Sequence, residues 1–235
     1  MPGRSENDPL TDSSVTVLRR CVINPSEKEN YDDVFLGPLD LAFTAVPTNV
    51  ITVYLNKDTS TVRGIIDANM FKAAYARALD YYPVLSGRLD ENPNTGRRWI
   101  RSVGVAGAEF IEATCAKRLD QIAAANKSGR VFVSQLPGGS NALLCDFVPF
   151  DKEFVYKNAL MSVQLTTFAC GGVTLGYHVM HAVCDGTGTF NFIRDVAELY
   201  RKLCRALDSA NPDSLSPEYL SDFCKQISLN DPTAD

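Results

Sequence analysis

The sequence has no run of 18 consecutive apolar residues, and its first fourteen residues are polar and contain no apolar h-region. These absences argue against a membrane-spanning helix and a secretory signal, so we expect a soluble, non-secreted protein without a membrane partner. The seven cysteines are odd in number and include no CxxC pair, which argues against a disulfide framework and a zinc knuckle. We therefore expect the cysteines to be reduced thiols and the protein to be cytoplasmic.

An excess of positive charge is also lacking. The formal net charge is -5, and the 23 Lys and Arg residues are scattered rather than gathered in a basic stripe. Because binding to nucleic acid requires such a stripe, no nucleic-acid partner is expected. Apolar residues make up 45% and charged residues 22% of the 235-residue chain, which is the balance of a globular protein with a sizeable core.

Two kinds of apolar spacing are present and predict a mixed fold. Alternating and β-branched stretches predict strands at 15–23, 49–57, 86–92, 97–102, 108–114, 160–169 and 173–183. Spacing near 3.6 predicts helices at 67–82, 116–126, 187–207 and 216–227. The CGG tripeptide between the last two strands predicts an antiparallel hairpin.

These elements predict an α/β (α+β) fold in the form of a two-layer sandwich. Its sheet is expected to be mixed and largely antiparallel, with helices 67–82 and 187–207 on one face. The strand at 15–23 is expected to lie at a sheet edge. Residues 1–14 are expected to form a flexible tail, residues 15–207 a domain, and residues 208–235 a linker with a short helix.

The stretch GYHVMHAVCDGTGTF, residues 176–190, contains both histidines of the chain. Side chains alternate along a strand, so His178 and His181 are expected to point to opposite faces. A zinc site built from both would need the strand to break, and only Cys184 or Asp185 could add a nearby ligand. We therefore expect no metal site here. Cys184 is expected to be a small buried thiol rather than a nucleophile.

Two interpretations of His181 remain open from its spacing. On pattern alone, it could be a buried core histidine whose hydrogen bonds are satisfied. Against this, His181 ends an apolar strand, Asp185 follows one turn later, and Gly186 and Gly188 allow the backbone to bend before a helix. An imidazole with an ordinary pKa near 6.5 can act as a neutral base beside a bound alcohol or amine.

Four segments resemble one known family. HAVCDG, beginning at His181, resembles the HxxxDG motif of the BAHD family of acyl-CoA-dependent acyltransferases, which share a chloramphenicol acetyltransferase-like fold. LGPLDLAF (36–43), ALDYYPVLSGRL (78–89) and the stretch 162–201 resemble other family segments, in the same order and at similar separations. The resemblance covers nearly the whole chain.

The family resemblance implies a role for each motif residue. His181 would be the general base that deprotonates the acceptor, Asp185 would hold the loop in shape, and Gly186 would give the loop room. The segment 36–43 would lie near the substrate channel. Acyl-CoA would be a co-substrate, no cofactor would be bound permanently, and a small molecule of secondary metabolism would accept the acyl group on a hydroxyl or, less readily, an amine.

One departure from the family pattern concerns its second half. Family members have two halves of similar size and a DFGWG motif in the second, whereas this sequence contains no such motif. Residues 15–207 therefore resemble the N-terminal half-domain alone. A C-terminal half or partner chain with a DFGWG-like motif is expected to complete the channel. The alternatives are a non-catalytic binding or scaffold half-domain, a self-assembled trimer, and an unrelated protein with a core histidine.

Overall fold

A computed structural model of the chain describes residues 12–43, 46–57, 64–124, 131–146, 152–207 and 216–229. Most of the expected tail 1–14 and the first part of the expected linker, 208–215, lie outside these residues. The strands described are β1 (Val15–Ile23), β2 (Val34–Phe35), β3 (Pro47–Tyr54), β4 (Arg88–Glu91), β5 (Arg98–Arg101), β6 (Ala108–Cys115), β7 (Met161–Phe168) and β8 (Val173–Met180).

The α-helices described are α1 (Pro38–Ala42), α2 (Ala68–Tyr81), α3 (Leu119–Ala124), α4 (Lys152–Lys157), α5 (Gly186–Ala206) and α6 (Pro217–Cys224). Short 3₁₀ segments lie at Pro83–Ser86, Val133–Gln135 and Pro137–Leu143. Among the helices in the described ranges, none is long and apolar enough to cross a membrane.

The main sheet has five strands in the order β1-β6-β7-β8-β3. Strands β6 and β7 are parallel, and the other three neighbouring pairs are antiparallel. The prediction of a mixed, largely antiparallel sheet is confirmed, and β1 lies at an edge as expected. The predicted hairpin is also confirmed: Gly171, with φ of 76°, turns the chain between β7 and β8. Glycine adopts this left-handed conformation without a steric penalty.

Helices α2 and α5 pack together on one face of this sheet, as the sequence predicts. The carboxylate of Asp67 begins α2 by accepting hydrogen bonds from the backbone N–H groups of Asn69 and Met70, each at 2.9 Å. Phe71 of α2 and Phe192 of α5 pack with apolar side chains of β7 and β8 in this core. Because this interface excludes water from one whole face of the hairpin, it forms the largest part of the core.

The opposite face of the β7–β8 hairpin is covered as well. Every residue of β8 is buried, including the polar Thr174 and His178. The segment Pro137–Leu143 lies across this face, where the Gln164 side chain donates a hydrogen bond to the carbonyl oxygen of Ala142 at 2.9 Å. The alternation of apolar and polar residues in these strands therefore separates two buried environments rather than core and solvent.

A smaller sheet, in the order β2-β5-β4, packs beside the main one. The guanidinium of Arg88 in β4 is half-buried and donates hydrogen bonds to the carbonyl oxygens of Gly87, Ala106 and Gly107. Upstream, the Tyr82 hydroxyl donates to the carboxylate of Asp195 in α5 at 2.5 Å. The segment 78–89 thus ties α2, α5 and the small sheet together, which gives this motif a structural role.

Among the glycines that the structure describes, Gly176 of β8 has the least room for a side chain. A Cβ atom at this position would lie 1.9 Å from the carbonyl oxygen of Leu143. We expect Gly176→Ala to lower the free energy of unfolding by about 1–3 kcal/mol, because overpacking forces the backbone apart. Gly186→Ala, whose Cβ would meet nothing within 4 Å among the described residues, is the matched control. Urea denaturation measures both; equal effects would contradict the prediction.

Candidate functional site at the end of strand β8

His181 is the first residue after β8 and lies in the turn that leads to α5. Its backbone N–H donates a hydrogen bond to the carbonyl oxygen of Val46 at 3.0 Å, which ties the turn to the segment preceding β3. The imidazole is half-buried and stacks on the ring of Phe43, with ring centroids 4.8 Å apart and an interplanar angle of 27°. One face of the imidazole is thereby covered, and its orientation is restricted.

Asp185 is the N-cap of α5. Its carboxylate accepts a hydrogen bond from the backbone N–H of Gly188 at 2.7 Å, and its carbonyl oxygen accepts from the Thr189 N–H at 2.9 Å and hydroxyl at 2.8 Å. The carboxylate thus caps the N-terminus of α5, where the helix dipole is positive and a negative charge is favoured. Within the described residues Asp185 makes no hydrogen bond to His181.

The two glycines of the loop differ in their surroundings. A Cβ atom on Gly188 would lie 2.7 Å from the Cys184 sulfur, so a larger residue here would force the Cys184 side chain to shift. A Cβ atom on Gly186 would meet nothing within 4 Å among the described residues. The space beside Gly186 is therefore open on this chain.

Cys184 is half-buried and accepts a weak hydrogen bond from the Thr189 hydroxyl at 3.7 Å. Burial raises the pKa of its thiol above the ordinary value. A thiol with a raised pKa is a poor nucleophile at neutral pH, in agreement with the structural role expected for it. In the described part of the chain, no three His, Cys, Asp or Glu side chains are placed to hold a metal ion.

His178 has different surroundings from His181. It is 3% exposed, and its Nδ1 lies 2.9 Å from the side-chain oxygen of Asn49 on the neighbouring strand. Burial lowers the pKa of the imidazole to about 4, because the charged form loses its hydration. His178 is therefore neutral at physiological pH and lies in the core.

The segment 36–43 forms the other side of the site. Leu36 is buried, Pro38–Ala42 forms α1, and the carboxylate of Asp40 accepts a hydrogen bond from the Gly37 N–H at 2.9 Å. Phe43 follows at the end of this helix and reaches His181. The sequence suggested that 36–43 lies near the site, but the stacking of Phe43 on His181 joins residues 138 positions apart and has no local signal.

Comparison with known proteins identifies the class of this fold and the family of the chain. Vinorine synthase superposes with a TM-score of 0.61 at 19% identity, covering 80% of this chain and 43% of that one. F. graminearum TRI101, complexed with coenzyme A and T-2 mycotoxin, gives a TM-score of 0.54 at 16% identity over 73% of this chain and 40% of that one. The Transferase family model matches residues 13–213, and the chain belongs to this family, the BAHD acyltransferases.

Curated relatives agree with this assignment. Taxadien-5-alpha-ol O-acetyltransferase of Taxus cuspidata is 28% identical over 193 residues, which are 81% of this chain and 41% of the relative. Hydroxycinnamoyl-CoA:piscidic acid hydroxycinnamoyltransferase of Actaea racemosa is 32% identical over 188 residues, 80% of this chain and 38% of the relative. The family resemblance inferred from the motifs is confirmed. The chain spans about two fifths of the length of these relatives.

The capping geometry of Asp185 predicts a difference between two substitutions. Asp185→Ala removes the acceptor for the Gly188 N–H and should lower the free energy of unfolding by about 1 kcal/mol. Asp185→Asn keeps an acceptor oxygen at this position and should lower the free energy of unfolding by only a few tenths of a kcal/mol. Chemical denaturation of both variants measures the effect. Equal losses in the two variants would show that the negative charge, which both lack, matters to the fold rather than the acceptor oxygen.

The burial of His178 predicts a pH dependence of stability. Its folded-state pKa is about 4, below the ordinary value of 6.5, so the unfolded chain takes up the proton first as the pH falls. Stability from this group is present above pH 6.5 and is lost between pH 6.5 and 4, by about 3 kcal/mol in all. We expect the free energy of unfolding of His178→Gln to fall less over this range. Parallel slopes for the two proteins would contradict the prediction.

Proposed function

We propose that the chain is the N-terminal part of an acyltransferase that moves an acyl group from acyl-CoA to the hydroxyl of a small molecule. An amine acceptor is the less favoured possibility. The single observation that supports this most strongly is the HxxxDG loop of a BAHD family member at the end of β8, with His181 half-buried beside an aromatic ring. The names of the relatives include both an O-acetyltransferase and an N-benzoyltransferase. The O-acetyltransferase is the relative that supports a hydroxyl acceptor.

The mechanism requires little beyond a base and a site for the developing oxyanion. A thioester is already electrophilic, so acyl transfer can proceed in a ternary complex without a metal or a covalent intermediate. In this proposal His181 takes the proton from the acceptor hydroxyl as the oxygen attacks the thioester carbonyl. The sulfur of CoA leaves with the bonding electrons, and a proton returns to it. Phe43 holds the imidazole in one orientation.

In this mechanism Asp185 is a positioning residue. Its carboxylate is already used by the backbone of α5, so it does not take part in proton transfer. It fixes the start of the helix and, through the short connection, the turn that contains His181. The tight approach of Gly188 to Cys184 fixes the same turn from the other side.

A second half is needed to complete the channel in this proposal. Two apolar residues that contact His181 are exposed: Phe43 by 43% and Val46 by 38%. Leu39 of the neighbouring helix α1 is 81% exposed. Exposed apolar residues that form a patch are typical of surfaces that another domain or chain covers. A C-terminal half of similar size, with a DFGWG-like motif, would cover these residues and enclose acyl-CoA and acceptor.

The test of this proposal is a substitution of His181 in the assembled particle, after its native mass has shown which chains it contains. His181→Gln removes the base while it keeps a polar side chain of similar length. We expect release of CoA thiol to fall by about 10²- to 10⁴-fold, because that is the usual contribution of a positioned base. Arg201→Gln, on the exposed side of α5, is the control and should keep full activity.

Two outcomes would contradict parts of the proposal. Full activity of His181→Gln would exclude this residue as the base. A particle that contains both halves and binds acyl-CoA, but releases no thiol with any acceptor, would favour the alternative of a non-catalytic binding or scaffold half-domain. That alternative is retained because the chain spans about two fifths of its relatives. A trimer of identical chains would instead indicate that copies of this chain complete the site.

A further inference from the structure

A cavity of about 160 Å³ lies on the side of the main sheet opposite helices α2 and α5. Ser162 of β7 and His178 of β8 form part of its floor, and residues of α4 form part of its wall. Both floor residues alternate along their strands with side chains of the α2–α5 core, which places the cavity on the other face. His181 is not among the described residues that line it, so the cavity is separate from the strand-end site.

The floor of the cavity is a row of polar side chains across three strands. Asn49, His178 and Ser162 are direct cross-strand neighbours in β3, β8 and β7. Such neighbours lie side by side on one face of a sheet. Because the side-chain oxygen of Asn49 accepts only, Nδ1 of His178 carries the proton of the neutral imidazole in this pair.

Ser162 is the member of this row that a ligand would satisfy. It is 3% exposed, and among the described residues its hydroxyl has no oxygen or nitrogen partner within hydrogen-bond distance; only the sulfur of Cys145 interacts with it. The neighbouring Cys145 has a pKa raised to about 12 by burial, so its sulfur is a neutral thiol and a weak hydrogen-bonding group. A buried hydroxyl without a partner is unfavourable, and a bound molecule with a polar group would remove that cost.

One part of the cavity wall is apolar, and another carries the charged and polar side chains of Arg20, Glu109, Asp146 and Asn158. Phe154 and Val155 of α4 and Met180 of β8 surround the space above the polar floor. Ligand pockets commonly combine apolar walls with a few polar groups that fix the orientation of the bound molecule. This cavity has that composition.

The charged groups at the cavity are paired with one another. Arg20 lies 3.2 Å from the carboxylate of Glu109 and 2.9 Å from that of Asp146. His178 is neutral because it is buried. The two carboxylates share one guanidinium, which disfavours an anionic ligand, and a neutral ligand leaves these pairs intact.

The size of the cavity limits the ligand to about one ring. A protein cavity of about 150 Å³ is known to hold a benzene molecule. We propose that this cavity binds a neutral six-membered ring with one hydroxyl group, such as a simple phenol. The ring lies against Phe154, Val155 and Met180, and the hydroxyl exchanges a hydrogen bond with Ser162.

The test compares phenol with toluene, which has the same shape but a methyl group in place of the hydroxyl. Isothermal titration of the 235-residue chain should give a tighter Kd for phenol than for toluene, by roughly tenfold for one hydrogen bond to a buried group. Ser162→Ala should remove this preference while toluene still binds. Ala159→Phe, which fills the cavity, should abolish binding of both probes.

Controls keep the outcome decisive. Ala197→Phe adds the same side chain on the exposed face of α5 and should leave both Kd values unchanged. Circular dichroism verifies that each variant is folded, and if Ser162→Ala unfolds, the comparison of phenol with toluene on the unsubstituted chain still decides. Absence of phenol binding, equal affinity for the two probes, or unchanged binding to Ala159→Phe would overturn the proposal. None of these measurements depends on acyl transfer.

Discussion

The burial of the β7–β8 hairpin on both faces is the constraint on which the rest of the structure depends. One face contacts α2 and α5, and the other contacts the segment Pro137–Leu143 and helix α4. The covering segment lies so close to β8 that a Cβ atom on Gly176 would meet the carbonyl oxygen of Leu143.

This constraint also determines where the functional loop lies. The hairpin is covered on both faces, and its second strand ends at Met180. The residues that follow must connect this buried strand to helix α5, which packs on one face of the sheet. The turn from His181 to Asp185 makes this connection within five residues. Rigid flanking elements hold a short loop in one geometry, which is what a positioned base requires. The same hairpin places His178 in the core and His181 beside Phe43, so two histidines three residues apart have different chemistry.

Much of the fold was predictable because the relevant signals are local. The strand at 15–23, the helix that begins after Asp67 and the CGG turn each depend on propensity, capping or turn chemistry over a few residues. The stacking of Phe43 on His181 was not predictable from spacing, since it depends on how α1 packs against the end of β8. The cover over the second face was equally hidden, because the residues 137–143 form an irregular segment with left-handed glycines.

The amino-acid sequence by itself determined the five strands of the main sheet, helices α2 and α5, the mixed sheet type, the family resemblance and the candidate base, because periodicity and motif spacing are properties of neighbouring residues. It gave no signal for β2, α1 or α4. The tertiary structure alone decided which polar residues are buried together. Asn49 lies more than a hundred positions from both Ser162 and His178 in the chain, yet strand register makes the three side chains neighbours. Register depends on packing between distant segments, and this is why the cavity beside them has no counterpart in the linear pattern.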